Sequence, residues 1–219
     1  MWPLWRNRLE TKAKKPVLKG EGVLKTLRLF IAVDMPQSLC KALAGLGRDM
    51  AACGLDLRWV KPTAMHLTLR FLGAVEEGRV PEIIRAMEEA VCGREAFLLA
   101  ARGLGAFPGT SNARVVWAGV QGGVQALEGL AQRLDIALEK AGFERENRPF
   151  KAHLTIGRAR NRPDPKALAG AIAGLGNYSC PPFFVNELVL YKSELKPAGP
   201  VYTVLHRSQL KPVNESPEA

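Results

Sequence analysis

Two tetrapeptides carry residue types that can do chemistry on one shared group: His66-Leu67-Thr68-Leu69 and His153-Leu154-Thr155-Ile156. Successive side chains of a strand point to opposite faces, so His66 and Thr68 share one face while Leu67 and Leu69 share the other. The second stretch repeats that plan. The chain has three histidines in 219 residues, and two of them stand in the same frame. A proline lies four residues before each, Pro62 and Pro149, and a glycine follows each strand, Gly73 and Gly157. The prolines favour an extended entry. Together these matches describe an internal duplication and two lobes of similar plan.

Paired histidines suit few chemistries. A metal site needs three or four ligands, and the third histidine, His206, stands alone on the last predicted strand, so no metal is expected. Neither a G-x-S-x-G elbow nor a comparable cysteine signature is present, which sets nucleophilic catalysis aside. General acid and base work remains. An imidazole with an unperturbed pKa near 6.5 can be neutral while its partner is protonated. Such a pair suits displacement at phosphorus, one ring taking a proton from water and the other giving one to the departing oxygen. Thr68 and Thr155 would hold the non-bridging oxygens. Strand alternation puts Arg70 on the face of His66 and Thr68. Arg158 follows Gly157, where a backbone turn would bring its guanidinium to the same groove. A solvated surface charge is the alternative for each arginine, and the near-symmetric pair does not say which histidine is the acid.

The elements that must position these residues follow from periodicity and breakers. A strand is expected over 27–34, central in its sheet, then a helix from Ser38 to about Cys53 ended by Gly54. A short strand at 57–60 leads into the first histidine strand, 65–72. An amphipathic helix is expected over 81–91 and strands over 97–104 and 114–120. The second half predicts a helix over 123–141 ended by Gly142, the second histidine strand at 152–156, a helix over 165–175, and strands over 184–191 and 201–210. Each half thus reads as helix, histidine strand, helix, strand, strand. The fold class is α+β: two pseudo-symmetric lobes of antiparallel or mixed sheet, helices on the outside, and the histidine strands facing each other across a central cleft.

Composition sets outer bounds. A hydrophobic fraction of 47% and a mean hydropathy of −0.04 describe a soluble globular protein with a substantial core. No apolar run is long enough for a membrane span or a signal peptide, so a cytoplasmic protein is expected. Cys40, Cys53, Cys92 and Cys180 form no C-x-x-C pair and read as reduced, mostly buried thiols. Of the formal charge of +10, seven Lys or Arg against Glu10 and Glu21 place +5 in residues 1–25. That segment is expected to be a mobile basic extension, or a translated stretch upstream of the true start. Residues 26–211 are expected to form one bilobal domain and 212–219 a polar tail. Nothing in the chain requires oligomerisation, so a monomer is expected.

The two H-x-T-x motifs, the first continuing as Arg70-Phe71-Leu72-Gly73 and the second as Gly157-Arg158, resemble those of the two-histidine phosphoesterase superfamily. Within it the chain looks most like the RNA 2′,3′-cyclic phosphodiesterases, historically called 2′-5′ RNA ligases. The likeness runs over about 27–210 and includes the Arg28-Leu29-Phe30-Ile31-Ala32 and Arg114-Val115-Val116-Trp117-Ala118-Gly119 strands. It implies a bilobal fold, a substrate of RNA or oligonucleotide ends bearing a 2′,3′-cyclic phosphate, and metal-free hydrolysis to a 2′-phosphate without a cofactor. Carried over by motif position, it implies His66 as proton donor, His153 as acceptor, and Thr68, Thr155 and Arg158 as phosphate ligands. Phe71 and Phe30 are candidates for contact with a base, core packing being the ordinary role of either. Competing readings are an RNA-end-binding protein without turnover, and a basic extension that anchors the chain to a polyanion.

Overall fold

A computed structural model describes residues 25–197 and 199–213. The extension expected over 1–25 falls, Lys25 apart, outside the described residues, as does the tail beyond Val213. In chain order the elements are β1 (Thr26–Asp34), α1 (Gln37–Ala52), β2 (Leu57–Trp59), β3 (His66–Glu76), α2 (Val80–Val91), β4 (Phe97–Phe107), β5 (Val115–Gly122), α3 (Val124–Lys140), β6 (His153–Ala159), α4 (Pro165–Leu175), β7 (Phe183–Val185), β8 (Glu187–Lys196) and β9 (Gly199–Gln209). Strand pairs are antiparallel throughout, in two sheets ordered β3-β1-β8-β9 and β2-β6-β5-β4-β7.

Local chemistry accounts for the element ends. Asp164 caps α4 by accepting from the backbone N–H groups of Lys166 and Ala167, with Pro165 at the first turn, where its missing donor costs nothing. Gly54 and Gly142 leave α1 and α3 in the left-handed region, at φ +81 and +80. β1 sits between β3 and β8 and is buried on both faces. Leu27, Leu29, Ile31 and Val33 enter the main core, whereas Phe30 and Ala32 join Val189 and Tyr191 in a second apolar cluster. The second cluster lies on the face that also carries His66.

The two lobes are not the two halves of the chain. β4 and β5, which follow the first histidine strand, join the sheet of β6; β8 and β9, which follow the second, join the sheet of β3. The helices exchange likewise. α2 and α3 pack on each other and reach β8, β9 and β3, while α1 and α4 reach β6, β2 and β4. Setting aside β2, the lobes match strand for strand as β3-β1-β8-β9 and β6-β5-β4-β7, each with two helices behind it. The strand expected over 184–191 is two strands, β7 and β8, one in each sheet. The cysteines are free, as expected, but only Cys40 is buried and Cys180 half-buried; Cys53 and Cys92 are exposed, because each stands just past a helix end. Among the described residues no helix is long and apolar enough to cross a membrane.

Candidate active site

β3 and β6 lie against each other although they belong to different sheets. Each is built the same way around its histidine. On β3 the register steps from Ala32 opposite Thr68 to Ile31 opposite Arg70, leaving Leu69 as an extra residue. On β6 it steps from Trp117 opposite Thr155 to Val116 opposite Gly157, leaving Ile156 as the extra residue. Both are β-bulges, and both fall on the fourth residue of the motif. A bulge resets which residues share a face. His66 and Thr68 are therefore followed on the cleft face by Phe71, which is paired with Phe30, and His153 and Thr155 are followed by Arg158.

Each ring is held by the same hydrogen bond. His66 Nδ1 lies 3.0 Å from the carbonyl oxygen of Ala64, and His153 Nδ1 lies 2.7 Å from that of Lys151. A carbonyl only accepts, so each Nδ1 carries a proton and each Nε2 is left for the cleft. Aromatic rings back both sides. Tyr202 meets His66 edge-on at 5.2 Å and 83°, and Phe107 meets His153 at 5.0 Å and 86°. Phe30 lies 4.7 Å from His66, and Trp117 lies 5.1 Å from Phe107. Trp117 can reach across only because Gly105 opposite it has no side chain: a Cβ there would stand 2.2 Å from the indole.

Burial sets the charge state. It pushes the His66 pKa down to about 4, with the bond to Ala64 opposing, the charge of Arg158 adding to the fall, Asp34 opposing and His153 adding. It pushes His153 down as well, the bond to Lys151 opposing and Arg158 again adding. Arg158 thus acts on both rings and stands between them in its electrical effect. It also feels Tyr202 from the opposite sheet. Asp34 is held by the Tyr191 hydroxyl, which donates to it, and by Arg207 Nη1 at 3.2 Å.

The structure brings His66, His153, Thr68, Thr155 and Arg158 to one cleft and takes Arg70 out of it. Strand alternation put Arg70 beside Thr68, but the bulge at Leu69 turns it to the opposite face. There it is 8% exposed, donates Nη2 to the Glu144 carbonyl, and lies 3.4 Å from Asp135 and 3.6 Å from Glu146. Gly157 differs too. It has no positive φ, so it does not turn the chain; it leaves room for the Trp59 ring, which a Cβ would approach to 3.0 Å. Phe71 is 52% exposed and free to meet a ligand, whereas Phe30 is 3% exposed and serves as packing. Sequence reasoning missed Asp34, Tyr191, Tyr202 and Phe107, because long-range pairing alone brings them to the motifs. Among the described residues no three His, Cys, Asp or Glu side chains cluster as metal ligands.

The profile of the LigT-like phosphoesterase family matches residues 33–117 and 119–202, one stretch around each histidine. The chain belongs to this family. Two LigT-like relatives match over nearly their whole length. The RNA 2′,3′-cyclic phosphodiesterase of Methanothermobacter thermautotrophicus is 34% identical over 177 residues, 81% of this chain and 95% of that protein. That of Thermotoga maritima is 32% identical over 187 residues, 84% and 96%. Among solved structures, Escherichia coli LigT complexed with 3′-AMP superposes with a TM-score of 0.64 at 27% identity, covering 85% of this chain and 99% of that one. A crystal structure from Thermus thermophilus reaches a TM-score of 0.70 at 29% identity over 85% and 100%.

Proposed function

We propose that this chain hydrolyses the 2′,3′-cyclic phosphate at an RNA end to a 2′-phosphate, with His66 and His153 as the acid and base and with no metal. The observation that carries the reading is the pair of imidazoles, each tied at Nδ1 to the carbonyl two residues before it and each offering Nε2 to one cleft beside Arg158. His153 takes a proton from water as its oxygen bonds to phosphorus. The bond from phosphorus to the 3′-oxygen breaks, and His66 gives that oxygen a proton. Thr68, Thr155 and Arg158 hold the non-bridging oxygens as charge builds on them. The division of roles follows the likeness of the motifs; Asp34 favours the protonated form of His66 and has no counterpart beside His153, but burial outweighs it. The substrate's own negative charge opposes the burial that holds this pKa down, and raises it.

With an RNA 5′-hydroxyl in place of water as the attacking group, the same step makes a 2′-5′ linkage, the bond to the 3′-oxygen again being the one that breaks. A monomer acting in the cytoplasm, where thiols stay reduced, fits the four free cysteines. The test is turnover of a 2′,3′-cyclic-phosphate-ended oligonucleotide in EDTA, with the product identified as 2′- or 3′-phosphate. A 2′-phosphate product and loss of rate in either histidine variant are expected. Binding that depends on the histidines, without any turnover, would mark a phosphate-binding protein instead.

A further inference from the structure

Arg158 has a neighbour of its own kind. On β2, the edge strand of the five-stranded sheet, Arg58 is the direct cross-strand partner of Arg158, so the two side chains leave the sheet on one face. Trp59 fixes which face that is. Its indole is held between α1 and β6, where a Cβ on Gly47 or Gly157 would come within 3.1 or 3.0 Å of the ring, and Arg58 therefore points the other way, into the cleft. Both arginines keep exposed surface; the Arg158 pKa is pushed down chiefly by burial, with Tyr202 opposing and the charge of Arg58 adding to the fall.

Like charges directly opposite on neighbouring strands, about 5 Å apart, destabilise a sheet. Two other arginines, on the sheet of His66, are neutralised by carboxylates: Arg207 meets Asp34 and Glu187, and Arg70 meets Asp135 and Glu146. Among the described residues neither Arg58 nor Arg158 forms an ion pair with a carboxylate. An uncompensated guanidinium pair facing a cleft is complementary to an anion with more than one charge centre. Arg158, acting on both histidines, accounts for the reacting phosphate. Arg58 lies one strand further out, at the rim.

We propose that Arg58 is a specificity-determining residue: beside Arg158, which holds the reacting phosphate, it forms a second anion subsite that takes the phosphodiester on the 5′ side of the terminal nucleotide. This rests on the phosphodiesterase reading and adds to it a preference for oligonucleotide ends over free nucleoside cyclic phosphates. The next negative group along an RNA strand from its cyclic end is that phosphodiester.

The experiment compares three substrates with one terminal base: a nucleoside 2′,3′-cyclic phosphate, the same compound carrying a 5′-phosphate, and a dinucleotide ending in the cyclic phosphate. In the Arg58→Gln variant the kcat/KM ratio of dinucleotide to unphosphorylated nucleoside falls about tenfold or more, the size of a lost charge-assisted hydrogen bond. The 5′-phosphorylated nucleoside loses as much as the dinucleotide, and Arg58→Lys recovers part of the loss. The salt dependence of the dinucleotide's KM also weakens by about one phosphate contact. An unchanged ratio overturns the proposal, whether the variant is fully active or slowed equally on all three substrates. If only the dinucleotide were affected, Arg58 would be reading the second nucleoside and not the phosphate, which also overturns it. A wild-type protein inert toward all three would overturn the phosphodiesterase reading itself.

Discussion

β3 and β6 share a motif, a bulge and a ring-to-carbonyl hydrogen bond, yet the two residues after the bulge differ in every respect. On β3, Arg70 goes behind the sheet into an ion-pair network and Phe71 faces the cleft; on β6, Gly157 goes behind, where Trp59 fills the space, and Arg158 faces the cleft. On the proposed function, the shared part is what two-sided proton transfer needs: two rings with Nε2 presented alike. The differing part puts an apolar ring on one wall and a cation on the other. The rings differ in setting as well, since His66 has Asp34 nearby and His153 does not.

The largest expected effect breaks the shared part. His66→Ala and His153→Ala should each lower kcat by about 10²–10⁴-fold. The double variant should be little worse than either single one, because a pair acting as a unit is lost with its first member. Steady-state rates of the three variants check this, and additive losses would mean that the rings work independently.

The two cleft-facing residues after the bulges sharpen the contrast. Arg158→Gln should cost about 10²-fold in kcat/KM, the usual size for one donor to developing charge. Phe71→Ala, its counterpart across the cleft, should act mainly on KM, by the roughly 1–3 kcal/mol of one base–aromatic stack. Equal effects on kcat from both would erase the division of labour.

Behind the sheets the comparison is one of stability. Arg70→Met leaves Asp135 and Glu146 without their shared cation and should cost about 2 kcal/mol in denaturant unfolding, with the catalytic pKa values unmoved. A loss of kcat far beyond the loss of folded protein would return Arg70 to the site. Gly157→Ala should cost about 1–3 kcal/mol by pressing on Trp59.

A further effect is in pH. The folded His66 pKa of about 4 lies below the ordinary 6.5, so between those values the unfolded chain binds a proton that the native protein does not. The histidine then costs no stability above pH 6.5, and stability falls as pH drops toward 4, by about 1.4 kcal/mol per unit. His66→Gln should remove that part of the acid sensitivity, read as a shallower fall of unfolding free energy between pH 6.5 and 4.

Much of this plan was legible in the chain. β1 showed its central place in its run of apolar residues, and α4 showed its span, 165–175, in the helical pattern. The histidines and threonines were legible because a strand's alternation is local. The bulges were not, since an extra residue is defined by the partner strand, and Arg70 was misplaced for that reason alone. Nor was the exchange of β4–β5 and β8–β9 between lobes, which depends on pairings between strands far apart in the chain. Arg58 carried no signal beyond its charge until β2 was paired with β6.

The most direct test of the two-ring account is single-turnover cleavage of a cyclic-phosphate-ended oligonucleotide in EDTA, followed for the wild type and both histidine variants. Wild-type conversion to a 2′-phosphate, with the chemical step lost in either variant while the substrate still binds, is the predicted result. Full cleavage by His66→Ala or His153→Ala, or wild-type activity that vanishes with chelation, would contradict it.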